Sequence, residues 1–209
     1  MIPYKTPNIL RQYYKDLVWQ IPTDEKTIYL TFDDGPVPEL TPTVVDVLKK
    51  YNAKATFFCV GDNVHKHPEV IQQVLEAGHS VGNHTHNHLK GWSTPDQAYF
   101  DNIDQCDTTL SEVYPGYVGR LFRPPYGRIK KSQAEILSRK YTIIMWDVLT
   151  HDYSNFHSAE KGLKYSIRET QPGTIIVFHD NIKASEKMLY ILTRYLDHFG
   201  SKGYSFKSL

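Results

Sequence analysis

The stretch TIYLTFDDGP, residues 27–36, begins as a strand and ends as something a strand does not need. Residues 27–32 form an apolar, β-rich run, and Gly35-Pro36 stops it. Between run and stop stand Asp33 and Asp34. Two adjacent carboxylates add nothing to strand stability, so they mark a site at the carboxyl end of the run. In a continuing strand they would point to opposite faces. The Gly-Pro break lets the chain bend so that both can flank one spot.

The same layout recurs along the chain. Apolar runs lie at 55–60 (ATFFCV), 79–83 (HSVGN), 120–123 (RLFR), 141–146 (YTIIMW), 174–178 (TIIVF) and 204–209 (YSFKSL). Helical segments separate them: TPTVVDVLKKYN with Thr41 as N-cap, HPEVIQQVLEAGH ending at Gly78, TPDQAYFDNIDQCDTTLSEVY, KKSQAEILSRK and ASEKMLYILTRYLDHFG. Seven strand candidates interleaved with helices predict parallel pairing through right-handed βαβ units. The polar residues of interest fall at the carboxyl ends of five strands, which favours a barrel over an open sheet. The expected fold is a single α/β domain. Residues 1–26 form a helical lead-in and 27–209 the domain proper.

Composition narrows the function. Across 209 residues, Lys and Arg total 24 against 23 Asp and Glu, a net charge of +1, which leaves no basic footprint for nucleic acid. The longest apolar runs are far too short to span a membrane, so no membrane insertion is expected. Charged residues interrupt the first twenty positions, so no signal-peptide core is visible there and the chain as written reads as cytoplasmic. The two cysteines, Cys59 and Cys106, lack metal-ligand spacing, and Cys59 reads as a buried, inert thiol.

At the third strand end, GNHTHNHLKG spaces His84 and His88 four apart, so one helical turn would bring both imidazoles to one side as a metal pair. The residue after the first His is Thr85, so the built-in base of an HExxH metalloprotease is missing. The aspartate doublet fills that gap. Two His and one carboxylate make a catalytic zinc set with an open fourth position, and the other carboxylate is left to take a proton from water. At FRPPYG (122–127), Arg123 can hold an acid by a bidentate contact, and the prolines stiffen a backbone that could aim an N–H into the site. WDVLTHDY (146–153) offers Asp147, His151 and Asp152. In VFHD (177–180), His179 can protonate a leaving group, with a nearby Asp to orient it. His65, His67, His86, His151, His157 and His198 read as surface or satisfied residues.

These motifs resemble the polysaccharide deacetylase family, the NodB-homology enzymes of carbohydrate esterase family 4. TFDDGP matches the first family motif, HTHNH the second, RPPY the third and VFH the fifth, with Val177 in place of Leu. The likeness runs from about Thr27 to Leu209. The fourth motif, Asp-x-x-Asp-Trp, departs: Leu149 replaces its first Asp and Tyr153 its Trp, while Asp152 is kept. The resemblance implies a distorted, partly closed (β/α)7 barrel. It makes Asp34, His84 and His88 the ligands of a divalent metal, zinc foremost, with Co2+, Ni2+ or Mn2+ as alternatives. It makes Asp33 the general base tethered by Arg123, the Tyr126 backbone N–H an oxyanion donor, and His179 the general acid oriented by Asp152. The implied substrate is an acetylated glycan or amino sugar, chitin or peptidoglycan losing N-acetyl groups or xylan losing O-acetyl groups, which would place the protein at the cell envelope or outside it. Hydrolysis of another small amide, and a non-catalytic glycan-binding relative, are the rival expectations.

Overall fold

The barrel expected from the strand ends is present, with one exchange among its staves. The computed structural model describes residues 3–209. Its strands are β1 (Thr27–Asp33), β2 (Thr56–Cys59), β3 (Ser80–Asn83), β4 (Leu121–Phe122), β5 (Thr142–Ile143), β6 (Val148–Leu149), β7 (Ile175–His179) and β8 (Ser205–Lys207). Every ladder between them is parallel. The order β5-β4-β3-β2-β1-β7-β6 makes a curled, partly closed seven-stave barrel, and β8 lies off that path against β1.

The count of seven holds, but its membership differs from the sequence reading. Residues 204–209 supply β8, which pairs with Thr27–Tyr29 at the base of β1 while β2 pairs with Thr31–Asp33 above it. The seventh stave is instead β6, a two-residue strand inside the polar segment WDVLTHDY. Two residues are too few for any period to show.

The helices are α1 (Asn8–Tyr13), α2 (Thr41–Lys50), α3 (Gly61–Lys66), α4 (Pro68–Glu76), α5 (Asp96–Val113), α6 (Lys131–Leu137), α7 (Ala159–Glu169) and α8 (Ser185–Gly200). Thr41, expected as a cap, is the first residue of α2, and its hydroxyl accepts from the Val37 N–H and donates to Asp180. Helix α4 ends as expected around Gly78, at φ 75°. The Gly78 N–H reaches the Leu75 carbonyl (2.8 Å) and the His79 N–H reaches that of Val74 (3.2 Å), a Schellman closure that needs the left-handed residue. Helices α3 and α7 have no counterpart in the sequence reading. Ser158 signals α7, since its hydroxyl accepts from the Lys161 N–H.

Helix α8 buries Met188, Ile191, Leu192, Tyr195, Leu196 and Phe199 in the same apolar cluster as Ile28, Leu30, Ile176 and Phe178 of β1 and β7. This packing fixes the neighbouring staves β1 and β7. The lead-in, residues 3–26, holds one short helix and on either side of it stitches the two outer staves. Val18 bridges to Ile144 beyond β5, and Lys5 bridges antiparallel to Val148 in β6. The Met145 N–H donates to the Val18 carbonyl (2.7 Å) and the Leu149 N–H to that of Tyr4 (2.9 Å). Edge groups that an open barrel would leave free are thereby paired.

Candidate active site

Strand register brings the predicted residues to the same end of the barrel. Asp33 sits opposite His179 across the β1–β7 ladder and opposite Phe58 across β1–β2. Cys59 pairs with Asn83, and Asn83 with Phe122, one residue above the Asp33 row, so His84 and Arg123 each begin two residues above it. Backbone hydrogen bonds continue into the loops, from the His84 N–H to the Cys59 carbonyl, Arg123 N–H to Asn83, and Asp180 N–H to Asp33.

Asp33 is 3 % exposed and Arg123 is fully buried. Arg123 Nη1 donates to Asp33 Oδ1 and to the Thr31 hydroxyl, each at 2.7 Å. The expected bidentate grip is absent. Nε and Nη2 donate to the Ile144 and Met145 carbonyls, and the guanidinium lies 4.2 Å from the Phe58 ring centroid. The cation is thus satisfied from several sides and gives Asp33 one hydrogen bond on one oxygen. Burial pushes the Arg123 pKa down, and the Asp33 charge pushes it back.

Asp34 points to the two histidines. Its Oδ1 lies 3.1 Å from His88 Nε2 and 3.7 Å from His84 Nε2. One donor atom from each of Asp34, His84 and His88 falls within 4.8 Å of the others, which is the separation a shared cation needs. His84 Nδ1 contacts the Arg123 carbonyl at 2.7 Å, which places the proton on Nδ1 and leaves the Nε2 lone pair facing Asp34. Burial lowers the His84 pKa to about 4, so it stays neutral and able to ligate. For Asp34, burial acts to raise the pKa, but the hydrogen bond with His88 and the positive charge of His179 bring it below the ordinary carboxylate range.

The two histidines do not meet on a helical turn. Residues 84–90 are a loop in which Thr85 (φ 62°) and His88 (φ 55°) take the left-handed conformation. Asn102 of α5 hangs this loop by accepting from the His86 and Asn87 N–H groups at 2.9 and 3.0 Å, and Asn83 accepts from the Thr85 N–H. The spacing therefore brings the rings together by a route other than helical periodicity.

Across the site, Asp152 binds residue 179 twice. His179 Nδ1 lies 2.8 Å from Oδ1, and its backbone N–H donates to Oδ2 at 2.8 Å. Burial alone would lower the His179 pKa, but Asp152, with smaller help from Asp34 and Asp33, raises it to about 9. Tyr126 (φ 61°) sits in a short 3-10 turn, Pro125–Gly127. Gly127 and Arg128 donate to the Pro124 and Pro125 carbonyls, which leaves the Tyr126 amide as the donor this turn can offer. The exposed Tyr126 ring stands 4.7 Å from that of His88. Both departures in the fourth motif are now placed. Leu149 is buried in β6 beside Val177, whereas Tyr153 reaches the rim, its ring 4.8 Å from His179.

Some residues fall outside this group. Asp147 is buried against Arg11 and the Thr174 hydroxyl, away from the strand-end cluster. His151 and His157 are buried against Tyr4, with His151 Nε2 and His157 Nδ1 lacking a partner among the described residues, as does His86 Nδ1. They are therefore neither surface nor satisfied histidines, a property of tertiary burial that no local pattern reveals. Cys59 and Cys106 are free and buried, and burial pushes both thiols up. The sequence motifs do not single out Asn102, which holds the His84–His88 loop, or Asn63, Asp180 and Asn181, which hold the Asp34–Gly35 turn. The apparent sequence signal was only the polar pair Asp180-Asn181 following the fifth motif.

Fold and cluster together define a class: barrel proteins carrying a His-His-Asp donor set at the carboxyl ends of parallel strands. The sequence model for polysaccharide deacetylases matches residues 20–142, and the chain belongs to that family. It is 32 % identical over 195 residues to a peptidoglycan-N-acetylglucosamine deacetylase of Bacillus cereus, covering 91 % of this chain and 89 % of that one. It is 34 % identical over 200 residues to the peptidoglycan-N-acetylmuramic acid deacetylase PdaA of Bacillus subtilis, covering 90 % and 71 %. A solved peptidoglycan N-acetylglucosamine deacetylase, in complex with a naphthalenyl N-hydroxybenzamide, superposes with a TM-score of 0.89 at 29 % identity, over 98 % of this chain and 95 % of that one.

Proposed function

We propose that this protein is a metal-dependent hydrolase that removes N-acetyl groups from an amino-sugar polymer or oligomer of the peptidoglycan or chitin kind, releasing acetate. The observation that carries the reading is the division of labour in the doublet: Asp34 faces His84 and His88, while Asp33 faces Arg123. The donor set fits a divalent cation, zinc before cobalt, nickel or manganese, because neutral His84 and ionised Asp34 are the ligating forms. A cation held by Asp34, His84 and His88 supplies Lewis-acid polarisation of the acyl oxygen and acidification of water.

The remaining chemistry belongs to the side chains. Arg123 occupies Asp33 Oδ1, so Oδ2 is the atom that takes a proton from water as it attacks the acetyl carbonyl. The Tyr126 N–H donates to the developing oxyanion, a contact of the kind worth ~10²–10³ in rate. His179, protonated at neutral pH and fixed at Nδ1 by Asp152, delivers its Nε2 proton to the departing amine as the C–N bond breaks. Atoms balance as acetate and a free amino sugar. A protein that only bound glycan would need neither a cation-tethered acid nor a carboxylate-tethered imidazole, which argues against the non-catalytic reading.

Relatives named for peptidoglycan support a cell-wall substrate and work at the cell envelope. Among the described residues no helix is long and apolar enough to cross a membrane. The test is acetate release from N-acetylglucosamine oligomers, peptidoglycan fragments and acetylated xylan, before and after chelation, beside metal content. Chelator-sensitive release from the amino sugars is expected. Full activity in Asp33→Asn, or acetate only from xylan, would sink the proposal.

A further inference from the structure

Asp34 is held at three points outside the motif that contains it. Its carbonyl accepts from Asn63 Nδ2 at 2.8 Å. The next amide, that of Gly35, donates to Asp180 Oδ1 at 3.0 Å, and Asp180 is anchored in turn by the Thr41 hydroxyl at 2.6 Å. The third point is on the side chain itself, where Asn181 Nδ2 donates to Asp34 Oδ2 at 2.6 Å. Asn181 has little freedom to present its other end. Its Oδ1 accepts from the Ala184 N–H at 3.0 Å, at the approach to α8, so the NH2 group is the end that faces Asp34.

The two oxygens of Asp34 therefore have different neighbours. Oδ2 is taken by an amide, while Oδ1 faces His88 Nε2 at 3.1 Å and His84 Nε2 at 3.7 Å. A carboxylate free to rotate can offer a cation both oxygens and fill a second coordination position. A catalytic site works by keeping such a position open. Asn181 stands between these two outcomes.

We propose that Asn181 is a positioning residue that holds Asp34 as a one-oxygen ligand and so keeps a coordination position open for water and the acyl oxygen. The proposal rests on Asp34, His84 and His88 being the ligands, and it assigns a task to a residue outside the five motifs. Outer-shell partners of this sort commonly carry a 10–100-fold share of metal affinity.

The probe is Co2+ added to the chelated full-length chain, because its visible absorption is strong in four-coordinate sites and weak in six-coordinate ones. Asn181→Ser keeps an acceptor for the Ala184 N–H, but its hydroxyl sits one bond closer to the backbone than the amide NH2 and so falls short of Asp34 Oδ2. It is expected to weaken Co2+ binding about 10- to 100-fold and to dim the visible band as Oδ2 joins the cation. Asn181→Ala loses both bonds. It should show the same cobalt defect together with a lower unfolding temperature of the metal-free protein, whereas Asn181→Ser should unfold near the wild-type temperature. Wild-type affinity and an unchanged band in Asn181→Ser overturn the proposal alone. A wild-type chain that takes up no Co2+ overturns the ligand assignment and the proposal with it.

Discussion

The ends of β1 and β6 each present an aspartate to the same site, yet they hold it by opposite means. At the end of β1, Asp33 is paired with a buried cation that is itself tied to two backbone carbonyls and a threonine. Beyond β6, Asp152 is paired with a histidine and with that histidine's own backbone amide. The first arrangement sets an acid beside a permanent positive charge, and in the proposed mechanism the acid is the acting group. The second spends the acid on its partner, raising the His179 pKa, and in the proposed mechanism leaves the imidazole to act. Neighbouring carboxylates in one site can thus serve as reagent or as support, depending on whether the partner can itself give up a proton.

The comparison breaks most completely at Arg123. Arg123→Met leaves Asp33 as a buried charge without its counter-ion, and removing one partner of a buried pair costs about 3–5 kcal/mol. Denaturant unfolding should register that loss, and acetate release should vanish with it. Asp33→Asn keeps the shape and removes the reagent, so kcat/KM should fall about 10²–10⁴-fold while metal content stays at the wild-type value. A matching loss of metal would show that Asp33 and Asp34 share the ligand role.

Asp152→Asn tests the supporting acid. Under the proposed mechanism the His179 pKa, raised to about 9, should set a limb on which activity falls as pH rises and the acid loses its proton. Removing Asp152 lowers that pKa, so the falling limb of the kcat/KM profile should move to lower pH. A limb that stays in place would reassign the general acid. The smallest effect belongs to Tyr153, whose ring stands beside His179 at the rim. Tyr153→Trp, which restores the usual family residue, should change KM among acetylated substrates by a few-fold and leave the pH limb unmoved. A large change in kcat would show that the ring takes part in proton transfer.

The contrast also explains what the sequence could disclose. β1 and β7 carry their strand signal and their polar ends in one continuous stretch, so Asp33, Asp34 and His179 were legible with their neighbours. Stave β6 was not, because Val148 and Leu149 are too few to show a period and the chain around them is polar. The His84–His88 pairing was legible as a spacing, although its geometry comes from left-handed residues and an asparagine on α5 rather than from a helical turn. Arg123 was legible as a cation near an acid. Its single hydrogen bond to Asp33 was not, since the competing carbonyls of Ile144 and Met145 lie about twenty residues away along the chain. The roles of Asp180 and Asn181 were not legible, because a polar pair after a strand reads as an ordinary turn until Gly35 and Asp34 are placed against it.

Among the described residues, the non-glycine positions with left-handed φ are Asp34, Asn52, Thr85, His88, Tyr126 and His151, and all but Asn52 lie in loops at the barrel mouth. Each such residue carries a backbone cost of about 1–3 kcal/mol that glycine would escape. Selection for heat resistance alone would therefore press toward glycine at Asp34 and His88, where the side chain has its proposed use. Under that pressure a library of this protein should yield hardier chains that have lost their cation, so screens for robustness need an activity gate from the first round.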